Sequence, residues 1–235
     1  MSERLLEITV ESLDTALAAE RGGADRIELC CELVNGGVTP PVATLRKIHE
    51  ELEIPVFTII RPRAGNFVYT DVEFAIMLRD IGVVRDLALD GVALGILRAD
   101  NTVDIERTRE LVESARPLDV TFHRAFDHTP DLRRALDDVI QTGATRILTS
   151  GGANGAPEGA AALRQLVAAA ADHIIVMPGA GLHATNIAQI AADTRAKEFH
   201  SGLGTVLLYG SSNLAKFESE IHAMKRHLRT PTGPA

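Results

Sequence analysis

Val120-Thr121-Phe122-His123-Arg124-Ala125-Phe126-Asp127 is the stretch on which the reading of this chain turns. A short run with strand character delivers an imidazole, a guanidinium and a carboxylate, and Thr129-Pro130 then signals a helix start. Strand, polar end, helix is the half-unit of an α/β protein, in which ligands sit at the C-terminal ends of parallel strands. One wall of a shared pocket is the natural expectation for these residues.

Working outward, the same unit recurs. Strand-like runs fall at 5–10, 26–29, 55–60, 91–94, 119–122, 146–149, 174–177 and 198–200. Their starts lie about 28 residues apart, a comfortable length for one βα unit of a (β/α)8 barrel. The intervening stretches carry helix signals. Thr39-Pro40 repeats the cap-then-proline start of Thr129-Pro130, and Thr70 with Glu73 has capping-box spacing. Gly22-Gly23, Gly82 and Gly143 fall near helix ends or in the turns that follow. Leu214, Phe217, Ile221, Met224 and Leu228 mark one buried stripe on a last long helix. The expected fold class is therefore α/β, a TIM barrel with one domain over residues 1–229 and a disordered tail at 230–235. An open doubly wound sheet also alternates strand and helix. Polar side chains ending strands one, two, three, five and eight favour the barrel, because closure gathers them at one mouth.

Composition narrows the function. A net charge of -8 argues against non-specific binding to nucleic acid or anionic membranes. No apolar run approaches a membrane span, and Met1-Ser2-Glu3-Arg4-Leu5 does not open a secretory signal. Two adjacent cysteines, Cys30 and Cys31, cannot form a disulfide framework, so a cytoplasmic location is expected.

Side chains alternate faces along a strand, and the helix layer takes the apolar set. Glu7 and Thr9 of the first strand then face the lumen, as do Arg26, Glu28 and Cys30 of the second. Thr121 and His123 follow from the fifth, and Glu198 and His200 from the eighth. The third strand is apolar on both faces and leaves Arg61 unplaced. Buried carboxylates need cationic partners, so a structural ion-pair network is one reading of this set. A pocket with acid–base capacity is the other: His123 titrating near neutrality, Glu28 or Asp127 orienting it, Glu7 beside them, and Arg61 and Arg124 holding an anion. Glycine loops follow three strands, at Ser150-Gly151-Gly152, Gly179-Ala180-Gly181 and Gly202-Leu203-Gly204. Ser150, Gly151, Gly179, Gly181 and His200 are accordingly candidate anion contacts, since glycine lets backbone N–H groups approach oxygens. Tight turns need glycine as well.

Several of these segments in order resemble a known family. Arg26-Ile27-Glu28-Leu29-Cys30, Gly36-Gly37-Val38-Thr39-Pro40, Ile60-Arg61-Pro62-Arg63, Thr121 to Asp127, Leu148-Thr149-Ser150-Gly151 and Glu198-Phe199-His200-Ser201 are similar to the CutC family of copper homeostasis proteins. The likeness covers roughly residues 5–205. It implies a barrel, assembly as a homodimer or larger homo-oligomer, and a role in handling copper. Copper(I) is the implied metal and Cys30 its implied ligand, because Cu(I) is soft and prefers sulfur. Related sequences often carry a first-strand cysteine where this chain has Thr9, a poor ligand for Cu(I). No nucleotide or flavin fingerprint is present. Lys47, Lys197, Lys216 and Lys225 all avoid strand interiors, which disfavours Schiff-base chemistry. Three function classes follow: copper homeostasis with Cu(I) on Cys30, a barrel enzyme of isomerase, lyase or hydrolase class acting on a small anionic or phosphorylated metabolite, and a non-catalytic scaffold.

Overall fold

The computed structural model describes residues 4–203 and 213–229. Among these residues eight strands, β1 (Leu5–Val10), β2 (Arg26–Leu29), β3 (Val56–Ile59), β4 (Gly91–Leu94), β5 (Asp119–Phe122), β6 (Arg146–Thr149), β7 (Ile175–Pro178) and β8 (Glu198–Ser201), alternate with eight α-helices. The helices are α1 (Leu13–Arg21), α2 (Val42–Glu51), α3 (Asp71–Asp86), α4 (Ile105–Ala115), α5 (Leu132–Thr142), α6 (Ala160–Ala170), α7 (Ile187–Thr194) and α8 (Leu214–Arg229). All pairings are parallel, in the order β7-β6-β5-β4-β3-β2-β1-β8. The two ends of that order, β7 and β8, lie side by side and complete the ring. The barrel expected from the sequence is what forms, and strand boundaries shift by no more than two residues.

The lumen and the helix layer divide the side chains as alternation requires. Leu6, Ile8, Ile27, Leu29, Phe122 and Phe199 are fully buried against the helices, each burial contributing about 1.5–3 kcal/mol. Polar residues take most of the inner face, joined there by Phe57, Ile59 and Leu148. The buried stripe of α8 also appears, with Phe217, Ile221, Met224 and Leu228 all packed inward.

Local punctuation departs from expectation at three places. The capping box of Thr70 and Glu73 is present. Thr129-Pro130, however, does not start α5: Asp131 caps it by accepting from the N–H groups of Arg133 and Arg134. Thr39-Pro40 does not start α2 either, and Thr39 Oγ1 instead accepts from the Arg61 N–H at 2.9 Å. A carboxylate competes better than a hydroxyl for two N–H groups at once, which explains Asp131. Gly82 lies inside α3. The segment 230–235, expected to be disordered, and Gly204 lie outside the described residues. No helix among the described residues is long and apolar enough to cross a membrane.

Candidate functional site at the barrel mouth

The lumen has two storeys. The lower one is built from the first inward residues of β1, β2, β6 and β8. Arg26 bonds Glu7 through Nε and Glu198 through Nη2 at 3.0 Å, and Arg146 Nε donates to Glu198 at 2.7 Å. Phe57 of β3 faces the same space, with its ring centroid 4.5 Å from Arg26 Cζ and 5.3 Å from Arg146 Cζ. Gly91 makes room for that ring, since a Cβ there would lie 2.5 Å from Phe57. Glutamate and arginine therefore close the floor in pairs, as a buried charge must.

Above the floor, an acid–base chain climbs toward solvent. His200 Nδ1 donates to Glu7 Oε1 at 2.7 Å, and His200 Nε2 lies 2.8 Å from Thr9 Oγ1. Thr9 donates onward to Glu28 Oε2 at 3.3 Å. Burial alone would raise the Glu7 pKa, yet the charge of Arg26 and the hydrogen bond from His200 hold it down at about 2. For Glu28, burial, joined by the Glu7 charge, outweighs the pull of His200, Thr9 and Arg26, and its carboxyl is raised. Burial would lower His200, but Glu28 and Glu7 outweigh it and the imidazole is raised.

The opposite side of the mouth is short of partners. Arg61 continues the inward alternation of Phe57 and Ile59 and is buried. Its Nη1 donates to the carbonyls of Asn35 at 3.1 Å and Gly37 at 2.9 Å, and Nη2 donates to Gly65 at 2.8 Å. Its guanidinium lies over Phe67, Nε makes no hydrogen bond, and no carboxylate among the described residues pairs with it. His123 also packs against Phe67, with ring centroids 5.0 Å apart. Its Nδ1 accepts the Ala125 N–H at 3.2 Å, so the ring proton sits on Nε2. Nε2 is buried and makes no hydrogen bond. The Nδ1 edge packs on Gly95, which turns Nε2 away from the wall. Burial, helped by the nearby Arg61 charge, lowers the His123 pKa to about 3. His123 is thus a neutral, fixed donor and not the group titrating near neutrality that the sequence suggested.

Thr9, Glu28, Arg61, His123 and His200 line one cavity of about 380 Å³, closed on its apolar side by residues such as Ile59, Phe67 and Leu148. Arg124 lines it too, although its Nε is taken by Asp127 at 2.9 Å. Asp127 does not orient His123. Its carboxylate accepts from Thr149 Oγ1, Ser150 N and Gly152 N, stapling the loop after β6. Ser150 is spent in that staple, and Gly151 packs beneath the start of α6. Gly179 gives clearance first to Leu148 and then to His200, and Gly181 alone of the four predicted loop positions lines the cavity. Sequence reasoning missed Phe67 and Arg146. Arg146 was legible, since it alternates with Leu148 along β6. Phe67 sits in an irregular loop, where no period places it.

The soft donors do not converge as Cu(I) would require. Cys30 is buried against Gly37 and off the cavity, and burial pushes its thiol up. Cys31 Sγ donates to backbone carbonyls of Val38 and Thr39, and Met177 Sδ accepts from Arg26. These residues do not fit a copper(I) centre. Donors of Glu7, Glu28 and His200 do lie within 4.8 Å of one another, but they are hydrogen-bonded to Arg26, Thr9 and each other. A cation there would have to displace those bonds.

Known proteins place the chain. Residues 4–205 match the model of the CutC family. A family protein CutC from Chromobacterium violaceum is 48% identical over 85% of this chain and 81% of its own length. One from Salmonella schwarzengrund is 45% identical over 86% and 81%. The crystal structure of a candidate copper homeostasis protein CutC from Streptococcus agalactiae superposes with a TM-score of 0.81 at 35% identity, covering 84% of this chain and 98% of that one. A phosphoribosylanthranilate isomerase from Thermotoga maritima, at 16% identity and a TM-score of 0.63, shares the fold alone. Matched by the family model over residues 4–205 and 48% identical to one family protein over 85% of its own length, this chain belongs to the CutC family.

Proposed function

We propose that this CutC-family protein binds a small anionic metabolite in the barrel mouth and performs proton-transfer chemistry on it. One observation carries the reading: a buried, unpartnered His123 Nε2–H beside a buried Arg61 that no carboxylate among the described residues pairs with. Leaving such groups unsatisfied costs about 1–3 kcal/mol each, and an oxyanion would satisfy both. Glu28, backed by His200 and Glu7, supplies the acid–base capacity across the cavity. Any part in copper homeostasis, suggested by the description of the Streptococcus agalactiae relative, would then run through the metabolite and not through a Cys30–copper bond. Composition and the family likeness further support a cytosolic homo-oligomer.

A thermal-shift series with inorganic phosphate and small carboxylates tests this. Wild type is expected to be stabilised in a concentration-dependent way, and His123→Ala to lose the response. A flat response in wild type would overturn the proposal. So would tight, stoichiometric Cu(I) in anaerobic titration that disappears in Cys30→Ser, an outcome favouring the direct copper reading.

A further inference from the structure

Every hydroxyl, imidazole and carboxylate in the chain Glu28–Thr9–His200–Glu7 is within reach of the next, and the sequence of contacts runs from the cavity inward. Glu28, Thr9 and His200 line the cavity, while Glu7 lies behind them on Arg26. The Thr9 hydroxyl is bonded on both sides, at 3.3 Å to Glu28 and at 2.8 Å to His200. A hydroxyl in that position donates one way and accepts the other. Two polarities therefore satisfy the same atoms. In one, Glu28 is protonated and donates to Thr9, which donates to a neutral His200. In the other, a His200 imidazolium donates to Thr9, which donates to an ionised Glu28. The two differ by the shift of two protons and contain the same number of them.

We infer that Thr9 relays a proton between Glu28 and the His200–Glu7 pair, and that the substrate is a small oxyanion carrying a carbonyl with an exchangeable C–H beside it. This rests on the anion-binding reading above and names the chemistry that would use it. The carbonyl oxygen sits on His123 Nε2–H, the buried donor without a partner. The step starts one proton short of either polarity, with Glu28 ionised and His200 neutral, and Glu28 removes the proton from the neighbouring carbon. The C–H electron pair becomes the C=C bond of an enolate, and the carbonyl π pair moves to the oxygen facing His123. Glu28 passes the proton to Thr9 Oγ1 as Thr9 passes its own to His200 Nε2. Glu28 is then ionised again, and the imidazolium is paired with Glu7. Running the relay backward returns the proton to carbon or oxygen, giving an isomer with no oxidant, reductant or co-reactant. A neutral imidazole suits this role, because it polarises the carbonyl without giving up its own proton.

The shape of the network supports the assignment over a purely structural one. The floor pairs arginine with glutamate directly, and no hydroxyl intervenes. A brace gains nothing from a threonine placed between a carboxylate and an imidazole whose own atoms lie 3.9 Å apart. A relay requires it.

The test is incorporation of deuterium from deuterium oxide into pyruvate, oxaloacetate and dihydroxyacetone phosphate, followed by proton NMR. Wild type is expected to exchange the carbon-bound hydrogen of at least one probe faster than buffer does. Thr9→Val should slow this by at least about tenfold, while Thr9→Ser restores it. Should Thr9→Val fail to fold, Glu28→Gln carries the same test, since an amide hands on no proton, and exchange should be abolished. No exchange above buffer in any probe, or exchange indifferent to Thr9→Val or to Glu28→Gln, overturns the inference. If phosphate stabilises wild type but no probe exchanges, only the relay falls. If phosphate does not stabilise it either, the anion site falls with it.

Discussion

The floor and the mouth of this barrel are built from the same residue types and behave oppositely. On the floor, Glu7, Arg26, Glu198 and Arg146 are crossed into ion pairs around Phe57. At the mouth, Arg61 leans on backbone carbonyls and an aromatic ring, and His123 keeps a hydrogen-bond donor unused. Charge inside a barrel does not by itself mark a site. Charge left without a counter-charge does, because the fold would otherwise have paired it or replaced it with an apolar side chain.

Breaking the floor should have the largest effect. Glu198→Ala leaves both Arg26 and Arg146 short of a buried carboxylate and should cost about 3–5 kcal/mol in urea denaturation. A loss below about 1 kcal/mol would mean the floor is no brace.

Acid titration separates the storeys next. The folded pKa of His123, at about 3, lies below its ordinary 6.5, so the unfolded chain takes up this proton first. Its contribution is complete above pH 6.5 and is lost as pH falls toward about 3, at about 1.4 kcal/mol per pH unit. His123→Gln should flatten that stretch of the stability profile. The floor has its own window, since Glu7 is depressed from 4.5 to about 2 and loses its contribution over that range. That second loss should persist in His123→Gln, and its disappearance would show that the two storeys are not separate.

Arg61→Lys keeps a charge but removes the fork that spans Asn35, Gly37 and Gly65. Phosphate binding read by thermal shift should weaken about tenfold, or about 1.4 kcal/mol. Cys30→Ser should do least: no change in the phosphate response and a stability loss of about 1 kcal/mol. Thiol-reactive reagents should leave Cys30 of the native protein untouched, given its burial and raised pKa.

Much of this was legible in the residues. Period-two alternation placed Glu7, Thr9, Glu28 and His200 inside, because helices cover the other face and demand apolar side chains. It failed on β3, where Phe57 turns inward to cover two guanidiniums and its apolar character hides the alternation. It could not assign charge states, either. His123 reads as a titrating histidine until the burial of its ring and the charge of Arg61 are known. Asp127 reads as a catalytic carboxylate until the N–H groups of the loop after β6 are seen converging on it. Such roles depend on three-dimensional neighbours that no spacing encodes.

The ring has one unusual joint. Seven strand junctions are stitched by backbone ladders, while β7 and β8 stand at the two ends of that ladder order, and Arg146 of β6 reaches past β7 to clasp Glu198 of β8. A hoop fastened there by a side-chain clasp has its natural point of give beside Gly179 and His200. Amide hydrogens of Val176 and His200 should therefore exchange before those of Thr58 and Val92 across the hoop. The doorway for a small molecule and the softest seam of the scaffold would then be the same place.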